Sequence, residues 1–310
     1  MQKKDLLNVL AILPRKYSVF EQGLVSILSN KSLHFKFKAG AIAYAYKNLT
    51  SPEYRVADLD GYKVYVNIVE HDGNCLYFFR KNPEEFSTNI VKGLLSKSDI
   101  CLDVGANIGY YSMLMANVVG QSGKVFCFEA NPNLHEMILK SIDYNHFDRV
   151  CAEKLAVSST SGQVLKFFVS TNPNNSGTSS LIDHGVYVNK DNYIRVETVS
   201  LDDYFEANSI NYCKLVKIDV ERAEADVVKG MEKILQNRII DYIILEQNFN
   251  GDAQTIIESF DYSCWFIDEN DKTLTNVKNL SSRDFGNFLF VKASCLDVFK
   301  KQHATLIRDN

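Results

Sequence analysis

The sequence predicts an α/β protein built on a mostly parallel sheet, and three observations carry that expectation. From residue 99 short apolar runs alternate with helical patterns, "DICLDVG", "NIGYYSMLMANVV", "KVFCFEA", "NLHEMILKSIDYN" and "VCAEKLAV". The alternation resumes further on with "KLVKIDV", "RAEADVVKGMEKILQN" and "DYIILEQ". Strands that are apolar almost throughout, separated by helices, belong to a sheet covered on both faces. The chain also has 310 residues and 46% hydrophobic content, enough to bury such a sheet.

Taken in order, residues 1 to about 50 read mainly as helix, with Leu6, Leu7, Val9 and Leu10, then Phe20, Leu24, Val25 and Leu28, at helical spacing. "YRVADLDGYKVYVNI" and "CLYFFR" read as strand patches separated by the turn signal "HDGN", and "NPEEFSTNIVKGLL" as a helix leading into the first strand of the alternation. After residue 158 come a hairpin-like excursion, "GQVLKFFVS", a polar loop, "TNPNNSGTSSLIDHG", and a strand, "YIRVETVSL". A loop of that length and composition is a candidate for function. The end supplies strands "YSCWFIDE" and "NFLFVKA" and a short helix. The organisation expected is an N-terminal helical and β extension (1–85), a main domain (86–298) and a short tail (299–310).

Composition excludes some classes of function. The net charge is −4 and the pI near 5.9, whereas a dedicated nucleic-acid binder shows a basic domain or stripe. The first fifty residues nevertheless carry eight Lys/Arg against Asp5 and Glu21, so they are +6 and the remainder is −10. That arm reads as a solvated face, with a surface contact or subunit pairing as the alternatives. Seven cysteines without a C-x-x-C pair read as reduced, buried thiols. The start, "MQKKDLLNVLAILPRK", lacks a cleavage site and is broken by Asn8 and Pro14, and no run approaches a membrane span. A soluble, cytoplasmic protein is expected.

Two motifs carry chemistry. "DVGANIGYYS" lies where a strand hands over to a helix, and Gly105 and Gly109 allow a tight turn and close backbone approach to a ligand. A dinucleotide fingerprint would read G-x-G-x-x-G, but Asn107 and Tyr110 replace two of its glycines. A nucleoside with an amino-acid tail suits the turn better than a pyrophosphate; a nicotinamide-dependent oxidoreductase is the less favoured alternative. Glu129 ends the next strand, in "VFCFEANP", where its two oxygens can accept from vicinal ribose hydroxyls. Asn131 either adds a contact or caps the following helix.

With these motifs stand "LAVSSTSG", "NNSGTSSL", "VETVSLDDYF" and "VKIDVERAEADVVKGM", in that order. From about residue 60 to 247 the chain resembles the FkbM-type methyltransferases of the S-adenosylmethionine-dependent class I superfamily. The resemblance implies a Rossmann-like sheet of order 3-2-1-4-5-7-6 with an antiparallel last strand. It also implies methyl transfer from S-adenosylmethionine to a hydroxyl of a glycan or a secondary metabolite. Carried over by position, Asp103, Gly105, Ala106, Asn107 and Gly109 would hold the methionine portion of the cofactor and Glu129 the ribose. Ala156 and Val157 would lie beside the adenine or serve the core, and Asp219 would face the methyl donor.

One departure matters. The family pattern reads D-V-E-G-A-E, and this chain has Arg222 in place of the glycine. A changed substrate is the main expectation, with a non-catalytic cofactor- or partner-binding module as the alternative. An in-line methyl transfer needs the acceptor positioned and its proton removed. Asp219 leads the candidates because acids at strand ends point into the ligand crevice, followed by Glu221 and Glu246, with Lys217 on the same face as Asp219. Glu224 and Asp226 fit a helix's first turn. Magnesium bound by these acids is open and not indicated. His184 is the histidine to test as a base, and Asn175, Ser176 and Ser179 are candidates for a loop closing over the site.

Overall fold

The computed structural model describes residues 53–172, 175–183, 188–279 and 285–308. The helical segment expected before residue 50, its proposed surface or subunit contacts, and His184 lie outside the described residues.

The described chain opens with an antiparallel hairpin, β1 (Tyr54–Asp58) and β2 (Lys63–Asn67). One helical turn follows, α1 (His71–Asn74), and then a π-helical turn, Cys75–Phe79, before α2 (Glu85–Leu94). The alternating run comprises β3 (Ile100–Val104), α3 (Tyr110–Val119), β4 (Lys124–Phe128), α4 (Pro132–Asn145) and β5 (Val150–Glu153). The excursion is β6 (Ala156–Val157), β7 (Val164–Ser170) and β8 (Val188–Val199), a separate small sheet of order β6-β8-β7. Then come α5 (Leu201–Ala207), β9 (Cys213–Ile218), α6 (Glu224–Lys229), α7 (Glu232–Gln236) and β10 (Ile240–Asn248). Last are α8 (Asp252–Glu258), β11 (Tyr262–Asp268), β12 (Thr273–Asn276), β13 (Phe285–Lys292), α9 (Leu296–Gln302) and β14 (Ile307–Arg308).

The main sheet runs β14-β12-β11-β13-β10-β9-β3-β4-β5. Its seven strands from β5 to β11 read 3-2-1-4-5-7-6, with β13 antiparallel to both neighbours, and β12 and β14 extend that edge. Side chains alternate between two cores, as a pleated strand requires. Cys101, Leu215 and Ile244 join one with the hairpin and α3, while Leu102, Val216 and Ile243 join the other with α5 to α8. Asp103, Lys217 and Glu246 have the parity of the first set. They therefore stand on the hairpin side of the sheet, at the strands' carboxyl ends.

Several expectations are corrected. "CLYFFR" is not a strand: Leu76, Phe78 and Phe79 are buried from a π-helical turn, because a continuous apolar run carries no period and no neighbouring edge pairs with it. "HDGN" is the helical turn before it rather than a hairpin turn. "VCAEKLAV" divides between two sheets. The helix expected over "RAEADVVKGMEKILQN" breaks at Gly230, where a Cβ would meet the Ser158 carbonyl oxygen at 2.2 Å. The cuts expected after residues 85 and 298 pass through α2 and α9, and the hairpin and Phe299 share a core with the sheet. Phe299 is fully buried against Trp265 and Tyr242. Phe299→Ala is expected to cost about 3–5 kcal/mol, read as a lower urea midpoint.

Candidate active site

The glycine turn forms because β3 and β9 bring their carboxyl ends into contact. The Gly105 and Ala106 N–H groups donate to Phe128 O at 3.0 and 2.9 Å, and the Asp219 N–H to Val104 O at 2.9 Å. A Cβ on Gly105, at φ +78°, would lie 1.8 Å from the Asp219 carbonyl oxygen, so no other residue fits this approach. Glu129 braces the turn: its two oxygens accept from the Asn107 and Asn131 N–H groups, each at 2.8 Å. Burial pushes Glu129 up to about 7, against the pull of those two donors.

Two cavities meet at this turn. A slot on one side is lined by Glu129, Leu155, Ala156, Val157 and Phe167. A polar chamber on the other is lined by Asp103, Ala106, Lys217, Glu221 and Glu246, with Glu84 and Tyr111. Gly105, Asn107, Gly177 and Asp219 line both. Asn107 Oδ1 is buried without a hydrogen-bond partner at this junction, and a Cβ on Gly177 would come within 2.8 Å of Asn107 Nδ2. An elongated ligand with an apolar end, a polar tail and a group for the Asn107 amide fits that arrangement.

Lys217 organises the chamber. Its Nζ, almost fully buried, donates to Asp219 Oδ2 at 2.8 Å and lies 4.6 Å from the Tyr111 ring centre. Burial alone would lower Lys217, but the carboxylates of Asp219, Asp103 and Glu84 outweigh it and hold it raised. Asp219 is lowered, because Lys217 outweighs its burial. Glu246 is raised by the charge of Asp219 and then by burial, so it keeps a proton to share with Asp219. Glu221, half-buried, is pushed up to about 7 by burial and the carboxylates of Asp219 and Glu224. Asp103 is buried and raised, and accepts from Ser112 Oγ at 2.6 Å.

Asp219, Glu221 and Glu246 can each bring a carboxylate oxygen within 4.8 Å of the others. One of these carboxylates, Asp219, already accepts at Oδ2 from the Lys217 ammonium at 2.8 Å.

A short strap crosses both cavities. The Ser176 N–H and Oγ donate to Glu70 Oε2 at 3.2 and 2.5 Å, and Ser180 Oγ donates to the Glu221 carbonyl at 2.6 Å. The loop candidates Ser176 and Ser179 line the slot and Asn175 the chamber. Gly109 and Asn131 line neither cavity: Gly109 opens α3 at φ +82°, and the Asn131 side chain caps α4 by accepting from the Asn133 N–H at 3.0 Å. Asp226 pairs with Lys229 on the surface at 3.3 Å. Sequence reasoning missed Glu84, which accepts from Tyr111 Oη at 2.9 Å and Asn287 Nδ2 at 2.8 Å. The available signal was Asn287, a polar residue inside the apolar run of a central strand.

The sequence model of the methyltransferase FkbM domain matches residues 103–277, which span the turn, the strap and the acids at the strand ends. The chain belongs to the FkbM methyltransferase family. It is similar to the hexuronic acid methyltransferase AglP of Haloferax volcanii, 26% identical over 172 residues. That match covers 54% of this chain and about 65% of the relative's length. Among solved structures it is similar to an FkbM methyltransferase of Methylobacillus flagellatus, at 13% identity and TM-score 0.41, covering 87% of this chain and 57% of that one. Aeropyrum pernix fibrillarin with bound S-adenosyl-L-methionine matches at 9% identity and TM-score 0.38, covering 67% and 74%.

In this member of the FkbM family the position expected to be glycine, Arg222, takes φ +80°, the left-handed region that favours glycine. Its exposed side chain lines a neighbouring cleft and not the chamber, so it does not fill the chamber. Arg222→Gly is expected to raise stability by roughly 1 kcal/mol through relief of this conformation, measured by denaturant titration. Gly105→Ala is expected to abolish ligand binding or folding, separated by circular dichroism.

Proposed function

We propose that this FkbM methyltransferase binds S-adenosylmethionine across the slot and the chamber and transfers its methyl group to a hydroxyl of a sugar or glycan. The observation that carries the reading is the junction, where the glycine turn, the orphaned Asn107 amide and the carboxylate of Glu129 meet a chamber of acids around one ammonium. Similarity to a hexuronic acid methyltransferase supports a sugar acceptor. When bound, S-adenosylmethionine supplies an electrophilic methyl group on a sulfonium.

The remaining chemistry belongs to the chain. Glu129 would accept from the ribose hydroxyls with the lone pairs left free by the turn. Gly105, Ala106 and Asn107 would hold the amino-acid tail, with Asp103 behind the turn, and Ala156 and Val157 would pack on the adenine. Excess negative charge in the chamber would favour a cationic group. Asp219, held by Lys217 and Glu246, would orient the acceptor hydroxyl. Glu221, whose proton affinity lies near neutrality, is the better base, because a general base works best with a pKa near the working pH. On this reading the leading role in proton removal passes from Asp219 to Glu221, two residues on.

Calorimetric titration with S-adenosylhomocysteine, followed by labelled methyl transfer from S-adenosylmethionine into a panel of sugars and glycans, tests the reading; failure to bind S-adenosylhomocysteine overturns it. Glu129→Ala is expected to weaken that binding by about 1.5–3 kcal/mol, the range for hydrogen bonds to a charged group. Turnover is expected to rise with pH through about 7 as Glu221 loses its proton. In Glu221→Gln that limb and most of the turnover should disappear while S-adenosylhomocysteine affinity holds. Asp219→Asn is expected to lower turnover more than affinity in the same assays.

A further inference from the structure

Glu221 and Glu246 line two cavities at once. Beyond the acidic chamber they also wall a broad cleft at the carboxyl end of β10, together with Arg222, Gln247 and Phe285. Methyl transfer itself requires nothing of this second cleft, and yet it is built like a binding site. Gln247 is 5% exposed and neither its Nε2 nor its Oε1 has a hydrogen-bond partner. A buried carboxamide left unmet on both sides is destabilising until one ligand supplies a donor and an acceptor together. The turn above it leaves the room: a Cβ on Gly251, which also lines the cleft, would come within 3.1 Å of Gln247 Oε1.

Two other features bear on the ligand's chemistry. Phe285, 59% exposed, offers the cleft an aromatic side chain that a ligand can cover. Arg222 lines the same cleft from its left-handed backbone position, so a strained residue is kept where it can donate to a ligand. Among the described residues that line the cleft, Glu221, Glu224, Glu246 and Asp252 stand with one guanidinium, which disfavours an anionic ligand. An uncharged sugar ring satisfies all of these terms. Its vicinal hydroxyls both donate and accept, matching the carboxamide, the carboxylates and the guanidinium, and its C–H face can stack on an aromatic ring.

We propose that this cleft is an outer acceptor subsite, holding a second, uncharged sugar unit of a glycan whose neighbouring unit is methylated in the acidic chamber. The inference rests on the reading of the chamber as a sugar-methylating site, and it makes the acceptor a disaccharide or longer. Glu221 and Glu246, common to both cavities, mark where the linkage between the two units would pass.

The test uses the full chain saturated with S-adenosylhomocysteine on a printed array of neutral hexoses and N-acetylhexosamines as mono-, di- and trisaccharides. Retention of at least one di- or trisaccharide is expected to exceed that of its parent monosaccharide by fivefold or more. Phe285→Ala, at an exposed position, and Gln247→Met, close to glutamine in length and volume, should each remove that excess. Both should keep the wild-type calorimetric affinity for S-adenosylhomocysteine. A chain that binds S-adenosylhomocysteine but retains no glycan, retains all lengths equally, or keeps its preference in both variants overturns the outer subsite and leaves the cofactor reading standing. Failure to bind S-adenosylhomocysteine overturns both.

Discussion

The ammonium of Lys217 is the constraint on which the rest of the site depends. It is almost fully buried at the carboxyl end of β9, and a buried charge is tolerated only when it is paired. Asp219 pairs with it directly, while Asp103 from β3 and Glu84 from ahead of α2 add their fields. Removing one partner of such a pair typically costs about 3–5 kcal/mol, which ties the geometry of three chain segments to one atom. Because carboxylates outnumber it, the same ammonium cannot neutralise them all. Glu246 therefore holds a proton, and Glu221 sits near neutrality. A stabilising ion pair thus leaves behind a group able to accept a proton.

Close backbone approach is the second organising feature. Gly105 lets β3 and β9 meet, and the cavities open on either side of that contact. The strap from Asn175 to Ser180 joins structures that sequence keeps far apart, because Ser176 is held by Glu70 after the hairpin and Ser180 by the backbone of Glu221. The hairpin and the region after it therefore belong to the site as much as to the core. Among the described residues no helix is long and apolar enough to cross a membrane.

Much of the fold was legible because it is local. Apolar strands alternating with helices between residues 99 and 157, and again from 213 to 248, fall where the runs place them, and the glycine turn, Glu129 and Asp219 follow from their positions at strand ends. The pairing of Lys217 with Asp219 also follows, since alternation puts both on one face. Other features left a weaker trace. The "CLYFFR" run is as apolar as a strand and became a π-helical turn, and Gly230 broke a helix because the Ser158 backbone passes against it.

By itself, then, the sequence determined the class of fold, the order of its motifs, and which acids end which strands, because each is written in residues close along the chain. Tertiary structure decided what those acids are. Glu221 and Glu246 are alike as residues and differ only through the neighbours and burial that folding gives them. Glu84, Asn287 and Glu70 enter the site from segments up to 203 residues apart, as with Glu84 and Asn287. Arg222 was legible in the sequence as a departure from the pattern's glycine, but only the fold shows that it keeps a left-handed backbone there and lines a cleft outside the chamber. Charge, proton affinity and cavity shape are sums over neighbours in space, and that is why folding had to assign them.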